Sequence, residues 1–111
     1  MDMPNRDRAF IPPAKLTAYL LSETHPVGAS KAQFFRMCGF NDLNVQLLEA
    51  GLLAIAHGGI IDDAEPTKHG MKYVIDGPLE TPSGRIVQVR TVWFIGTDEA
   101  NPRFVTAYPA S

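Results

Sequence analysis

The stretch "TPSGRIVQVRTVWFI", residues 81–95, decides the fold class. Thr81-Pro82-Ser83-Gly84 has proline at the second turn position and glycine at the fourth, as a type I turn prefers. From Arg85 onward the chain is rich in β-branched and aromatic residues, which predicts a strand over 85–95. Side chains alternate across a strand. One face therefore carries Arg85, Val87, Val89, Thr91, Trp93 and Ile95, the other Ile86, Gln88, Arg90, Val92 and Phe94. The first is the better core face, so Gln88 and Arg90 are expected to look the opposite way.

Two similar segments flank this strand. "MKYVID", residues 71–76, precedes the turn, and "RFVTAY", residues 103–108, follows the connection "TDEANP". Short connections between such segments predict an antiparallel meander. Gly77-Pro78 is expected to interrupt the first strand, as a bulge or at an edge. "GGIID", residues 58–62, offers a short fourth strand. On the last strand, strict alternation puts Phe104, Thr106 and Tyr108 on one face.

Upstream the period changes to a helical one. Pro12 and Pro13 suit a helix start, and Leu16, Tyr19 and Leu20 follow at helical spacing, predicting a helix over 14–22. "ETHPVGA" reads as a loop, in which Pro26 extends His25 and Gly28 permits a sharp turn. Ser30 and Gln33 form a capping-box pattern, which makes Lys31 the first residue of a second helix ending near Cys38. Gly39 is placed as its left-handed C-cap and Phe40 as the accompanying hydrophobic contact. A third helix is expected over 43–57, capped by Asn41 or Asp42 and stopped by Gly58-Gly59. The fold class is α+β, with three N-terminal helices packed on a three- to four-stranded antiparallel meander. Leu16, Leu20, Phe34, Leu48, Leu52, Val89 and Trp93 are the expected core.

Length and composition set the frame. The 111 residues, 45% hydrophobic and 20% charged, suit a single globular domain over 1–111 rather than a disordered chain. Residues 1–9 read as a flexible N-terminal arm. Cys38 is the only cysteine, so no intrachain disulfide can form. "MDMPNRDRAF" has no signal-peptide apolar region, and "LLEAGLLAIA" contains Glu49 and is too short to span a bilayer. A cytoplasmic location, without membrane association, is the expectation. Net charge is −2, unevenly spread: residues 41–67 hold five acidic and no basic side chains, while the two ends are mildly basic. This is not the footprint of a typical nucleic-acid binder.

The candidate chemistry is a set of five residues. Lys31, near a helix start, suits an anion, and His25 upstream is the side-chain type that changes charge nearest neutral pH. Thr106 and Tyr108 present two hydroxyls on one strand, and Arg90 or Arg103 can supply charge to a phosphate. The competing reading is a capped helix with a solvated lysine beside ordinary strand residues. No cofactor is indicated. His57, Asp62, Asp63, Glu65 and His69 match no metal-ligand spacing and read as an acidic loop. Cys38, at a helix C-terminus, reads as core.

The words "IPPAKLTAYLL", "HPVGASKAQFF", "KYVIDGPLETPSGR", "RTVWFI" and "PRFVTAYP" resemble those of a bacterial family known only as a domain of unknown function. That resemblance covers nearly the whole chain and carries no activity. More loosely, helices followed by an antiparallel meander resemble the barnase, EndoU and RelE group of small ribonucleases, which includes many bacterial toxins. This similarity of architecture implies a metal-independent ribonuclease of a toxin–antitoxin type, acting on RNA and held by a cognate inhibitor. Its catalytic set would be His25 as acid–base group, Lys31 and Arg90 as phosphate ligands, and Thr106 and Tyr108 as hydroxyl donors. The alternative is a noncatalytic module whose acidic middle or sheet edge binds a partner protein. Convergence of His25, Lys31, Arg90 and Tyr108 in one cleft distinguishes the first from the second.

Overall fold

The computed structural model describes residues 2–26 and 29–110. The helices come first. A 3-10 turn over Pro13–Lys15 leads into a π-helical turn, Leu16–Leu20. Helix α1 spans Ala29–Met37 and α2 spans Val45–Gly58. Four strands follow: β1 Ile61–Thr67, β2 Gly70–Glu80, β3 Ile86–Gly96 and β4 Arg103–Pro109. They form one sheet in the order β1-β2-β3-β4, with every neighbouring pair antiparallel. The architecture is the expected α+β arrangement.

The strand β3 shows why the sheet has one buried face. Val89, Thr91 and Trp93 are buried, and they meet Tyr73, Ile75 and Leu79 of β2 and Phe104 and Ala107 of β4. Leu48, Leu52, Ile55 and Ala56 of α2 and Leu16 and Leu20 of the π turn join the same core, and Phe35 of α1 completes it. The expected Phe34 is only partly buried, because Phe35 occupies the inward position of α1. Residues near the N-terminus lie against this core: Met3 is 2% exposed, and Phe10 forms a parallel bridge with Arg103.

Local signals set several boundaries. At the end of α1, Gly39 has φ 101°, its N–H donates to the Arg36 carbonyl, and the Phe40 N–H donates to the Phe35 carbonyl. That is the Schellman pattern, and the Phe40 ring packs edge-on against Phe35, as its hydrophobic contact should. The turn after β2 closes through the Gly84 N–H to the Thr81 carbonyl at 2.9 Å. The Thr81 hydroxyl adds a 2.7 Å bond to the Arg85 carbonyl.

Other expectations need correction. The first helix is not an α-helix, since the Leu21 N–H bonds back five residues to the Leu16 carbonyl. Ser30 does not cap α1: the Ala29 N–H already donates to the His25 carbonyl, four residues back, so Lys31 is the helix's third residue. Gly28, read as a turn residue, lies outside the described residues. Neither Asn41 nor Asp42 is the N-cap residue of α2, which starts after Asn44. Asn41 instead folds the preceding turn, its Oδ1 accepting from the Leu43 and Asn44 N–H groups. Gly77-Pro78 does not interrupt β2, which keeps register with β3 through Gly77↔Val89 and Pro78↔Gln88. β1 pairs only as far as Ile75, so Pro78 lies where β2 has a free edge and its missing N–H leaves no ladder bond unmade.

Candidate functional site

The sharpest cluster of polar chemistry centres on Tyr19. Leu16 and Leu20 bury themselves on either side of it along the π turn, which leaves the tyrosine half-buried with its ring against the core. π turns cost backbone energy and occur often at functional sites. The phenol oxygen lies 2.9 Å from Thr106 Oγ1 on β4 and 3.2 Å from Lys31 Nζ on α1. Lys15 Nζ stands 4.8 Å from the ring centroid and Lys31 Nζ 5.5 Å. The His25 ring meets the Tyr19 ring edge-on at 5.0 Å between centroids. Two ammonium groups, an imidazole and a hydroxyl thus surround one phenol.

These neighbours decide the proton affinity of the phenol. Burial alone raises it, but hydrogen bonds to Thr106 and Lys31 and the charges of Lys31 and Lys15 together outweigh burial, and the Tyr19 pKa falls below its ordinary value. Tyr19 and His25 open onto a depression of about 500 Å³, flanked by Lys15 and by Arg103 of β4. Such a volume admits a nucleotide-sized ligand. A second hollow, about 240 Å³, lies beside Cys38 and is walled by Phe34, Met37 and Val87. Burial pushes the Cys38 thiol up against the opposing charge of Arg85, which keeps it a core thiol rather than a nucleophile.

Of the five residues expected at the site, three converge and two stand apart, and the expected meeting of His25, Lys31, Arg90 and Tyr108 in one cleft is not found: only the first two share the cluster. His25 and Lys31 contact Tyr19 directly, and Thr106 bonds its hydroxyl. Arg90 is instead committed to Asp76 through two 2.8 Å bonds, Nε to Oδ1 and a terminal nitrogen to Oδ2, with Asp62 at 3.5 Å. Its guanidinium is thereby turned toward β2 and β1. Tyr108 sits opposite Arg90 in the β3–β4 register. The expected common face of Phe104, Thr106 and Tyr108 is broken by a β-bulge. Phe104 pairs with Trp93 but Thr106 with Val92, so Val105 is the extra residue. Phe104 therefore enters the core while Thr106 aligns with the other face. Tyr19 and Lys15 lie outside the expected set, since Tyr19 reads only as part of the helical spacing of a short amphipathic helix and nothing near it in the chain signals its partner on β4.

The Arg90–Asp76 pair makes a pH prediction. The Arg90 hydrogen bond, opposed in part by burial and aided by the Arg90 charge, lowers the Asp76 pKa from its ordinary value of 3.8. A depressed folded-state pKa stabilises the fold above the unfolded value and loses that stabilisation as pH falls through the folded one. Asp76→Asn should therefore lower the urea midpoint at pH 6, and its deficit against the native chain should shrink below about pH 4. Both side chains are partly exposed, so the effect is modest. A pH-independent deficit would show that the pair acts through packing alone.

No curated protein matches the chain. Among solved structures it is similar to a chain of the contact-dependent growth inhibition toxin – immunity protein complex from Klebsiella pneumoniae 342. The TM-score is 0.73 and the identity 16%, over 96% of this chain and 97% of that one, a likeness of fold. The family model "Domain of unknown function (DUF6883)" matches residues 2–111. The words spread along the helices and strands are thus those of one family, and the chain belongs to the DUF6883 domain family.

Proposed function

We propose that residues 1–111 act as one unit, a toxin-type effector that cleaves RNA at the Tyr19 cluster. The observation that carries this reading is the convergence of His25, Lys31 and Thr106, from three separate elements, beside a depression flanked by Lys15 and Arg103. Phosphodiester cleavage at a ribose needs a group to take the 2′-hydroxyl proton and cations for the charge that develops on the phosphoryl oxygens. His25 fills the first role and Lys15, Lys31 and Arg103 the second. Arg90 takes no part, because Asp76 and Asp62 already hold its charge. The fold's likeness to a chain of a toxin–immunity protein complex supports a role in such a pair, with a protein partner that holds the activity in check.

Induced expression in a bacterial host, with growth and total RNA followed together, tests the proposal. Arrest accompanied by RNA cleavage is the expected outcome. Normal growth at high soluble expression would instead favour a noncatalytic module that binds a partner protein. That second reading draws on the separation of Arg90 and Tyr108 from the cluster and on the acidic edge strand β1, with Asp62, Asp63 and Glu65.

Lys31→Met tests the cationic part separately. It keeps most of the apolar stem and deletes the charge and the bond to Tyr19. Loss of a charge-assisted hydrogen bond is worth about 1.5–3 kcal/mol, so an RNA oligonucleotide should bind about tenfold more weakly or worse, with less dependence on salt. Titration followed by the amide shifts of α1 reads both quantities. Equal affinity and equal salt dependence in the variant would leave Lys31 a structural partner of Tyr19 only.

A further inference from the structure

The ribonuclease reading assigns no group to the second proton transfer, and the polarity of the bonds at Tyr19 supplies one. An ammonium has protons to give and no lone pair, so Lys31 Nζ donates to the phenol oxygen at 3.2 Å. The phenol keeps its own proton for Thr106 Oγ1 at 2.9 Å or for a substrate group that reaches it from the depression lined by Tyr19. Once that proton leaves, the oxygen is negative beside Lys31, with Lys15 over the same ring. The site therefore stabilises the state that a proton donor reaches after giving its proton away. Across the ring stands His25, the one imidazole in contact with Tyr19 among the described residues.

We infer that Tyr19 is the general acid of RNA cleavage, protonating the departing 5′-oxygen while His25 accepts the proton of the 2′-hydroxyl. The inference rests on the ribonuclease reading. The 2′-oxygen forms a bond to phosphorus and the bond from phosphorus to the 5′-oxygen breaks. The 2′-hydroxyl proton ends on His25 and the phenol proton on the 5′-oxygen. The products are a 2′,3′-cyclic phosphate and a 5′-hydroxyl, with no oxidant or further reactant needed. The lowered proton affinity of Tyr19 serves this role, because a more acidic phenol gives up its proton more readily to an alkoxide-like oxygen. Thr106 is then a positioning residue, aiming the phenol through its hydroxyl.

The test uses the full chain and an RNA oligonucleotide with the linkage that the native protein cuts. The linkage is synthesised with either oxygen or sulfur at the 5′-bridging position. A thiolate departs without a proton, so the sulfur substrate bypasses a general acid but not a general base. Tyr19→Phe should cut the oxygen substrate about 10²–10⁴-fold more slowly and the sulfur substrate within a few fold of the native rate. His25→Ala should be slow on both. Thr106→Val should show a smaller defect on oxygen, also relieved by sulfur.

The native protein gives a readout independent of any variant's folding. Its rate on oxygen should fall at alkaline pH as the phenol loses its proton, and its rate on sulfur should stay level there. Tyr19→Phe slow on both substrates, or an alkaline fall common to both, would overturn the inference while leaving the ribonuclease reading intact. So would Tyr19→Phe at the native rate on oxygen. A native protein that cuts neither substrate removes the ribonuclease reading and this inference with it.

Discussion

Replacing Trp93 with alanine is expected to destabilise the protein by about 3–5 kcal/mol, a large fraction of the stability of an ordinary domain. The indole is fully buried and packs edge-on against Phe104 with ring centroids 5.3 Å apart. It also completes a polar chain inside the core. The Trp93 Nε1–H donates to Thr91 Oγ1 at 2.8 Å, and the Thr91 hydroxyl donates to the Ile75 carbonyl at 2.7 Å. Alanine at this position leaves a cavity and removes one of the threonine's two partners, so the loss should fall toward the upper part of that range. Trp93→Phe, which restores ring packing without the N–H, should recover most but not all of it. Urea denaturation of the three chains measures the difference. An unchanged midpoint in the alanine variant would contradict the packing of β3 against the helical layer.

The second large effect is on activity. On the proposed reading, His25→Ala should lower the rate of RNA cleavage about 10²–10⁴-fold, the usual contribution of a positioned acid–base group. His25 is partly exposed and its neighbour Tyr19 keeps its bonds to Thr106 and Lys31, so the fold should survive the change. Initial rates and the denaturation midpoint, measured on the same preparation, separate the two effects. Added imidazole should restore part of the lost rate by entering the space vacated beside Tyr19. Cleavage at the native rate would place His25 among the structural supports of the tyrosine.

The features legible in the sequence are those whose causes are local or periodic. The alternation along β3 is readable because its two faces differ sharply in polarity, and Val89, Thr91 and Trp93 are buried as that alternation requires. The Gly39-Phe40 stop is readable because a Schellman end involves only a few adjacent residues. The π turn is not readable in the same way. Leu16, Tyr19 and Leu20 also fit an α-helix, and the choice between them depends on how Leu16 and Leu20 settle into a core built from distant strands. The bulge at Val105 likewise follows from the pairing with β3, so the parity of Thr106 could not be assigned from β4 alone.

The candidate site divides along the same line. His25, Lys31 and Thr106 were readable one by one, from residue type and from nearness to a helix start or a strand end. The group that gathers them, Tyr19, shows in the sequence only as part of the helical spacing of Leu16, Tyr19 and Leu20, because its hydroxyl leaves no mark in that pattern. Arg90 shows the converse. An arginine facing away from the core reads as a phosphate ligand until Asp76 appears opposite it in the register.

The bond between Tyr19 and Thr106 joins positions 87 residues apart. Contacts so remote in the chain close late in folding, after the intervening strands have paired. A ribosome making this protein releases Lys15, Tyr19, His25 and Lys31 long before it reaches Thr106. Until β4 zips onto β3, the phenol has lysines in its neighbourhood but no fixed anchor. Incomplete chains therefore carry the ingredients of the cluster without its geometry, and on the proposed reading competence arrives only with the final strand. Any chain ended before Thr106 should remain inert however well its helices form.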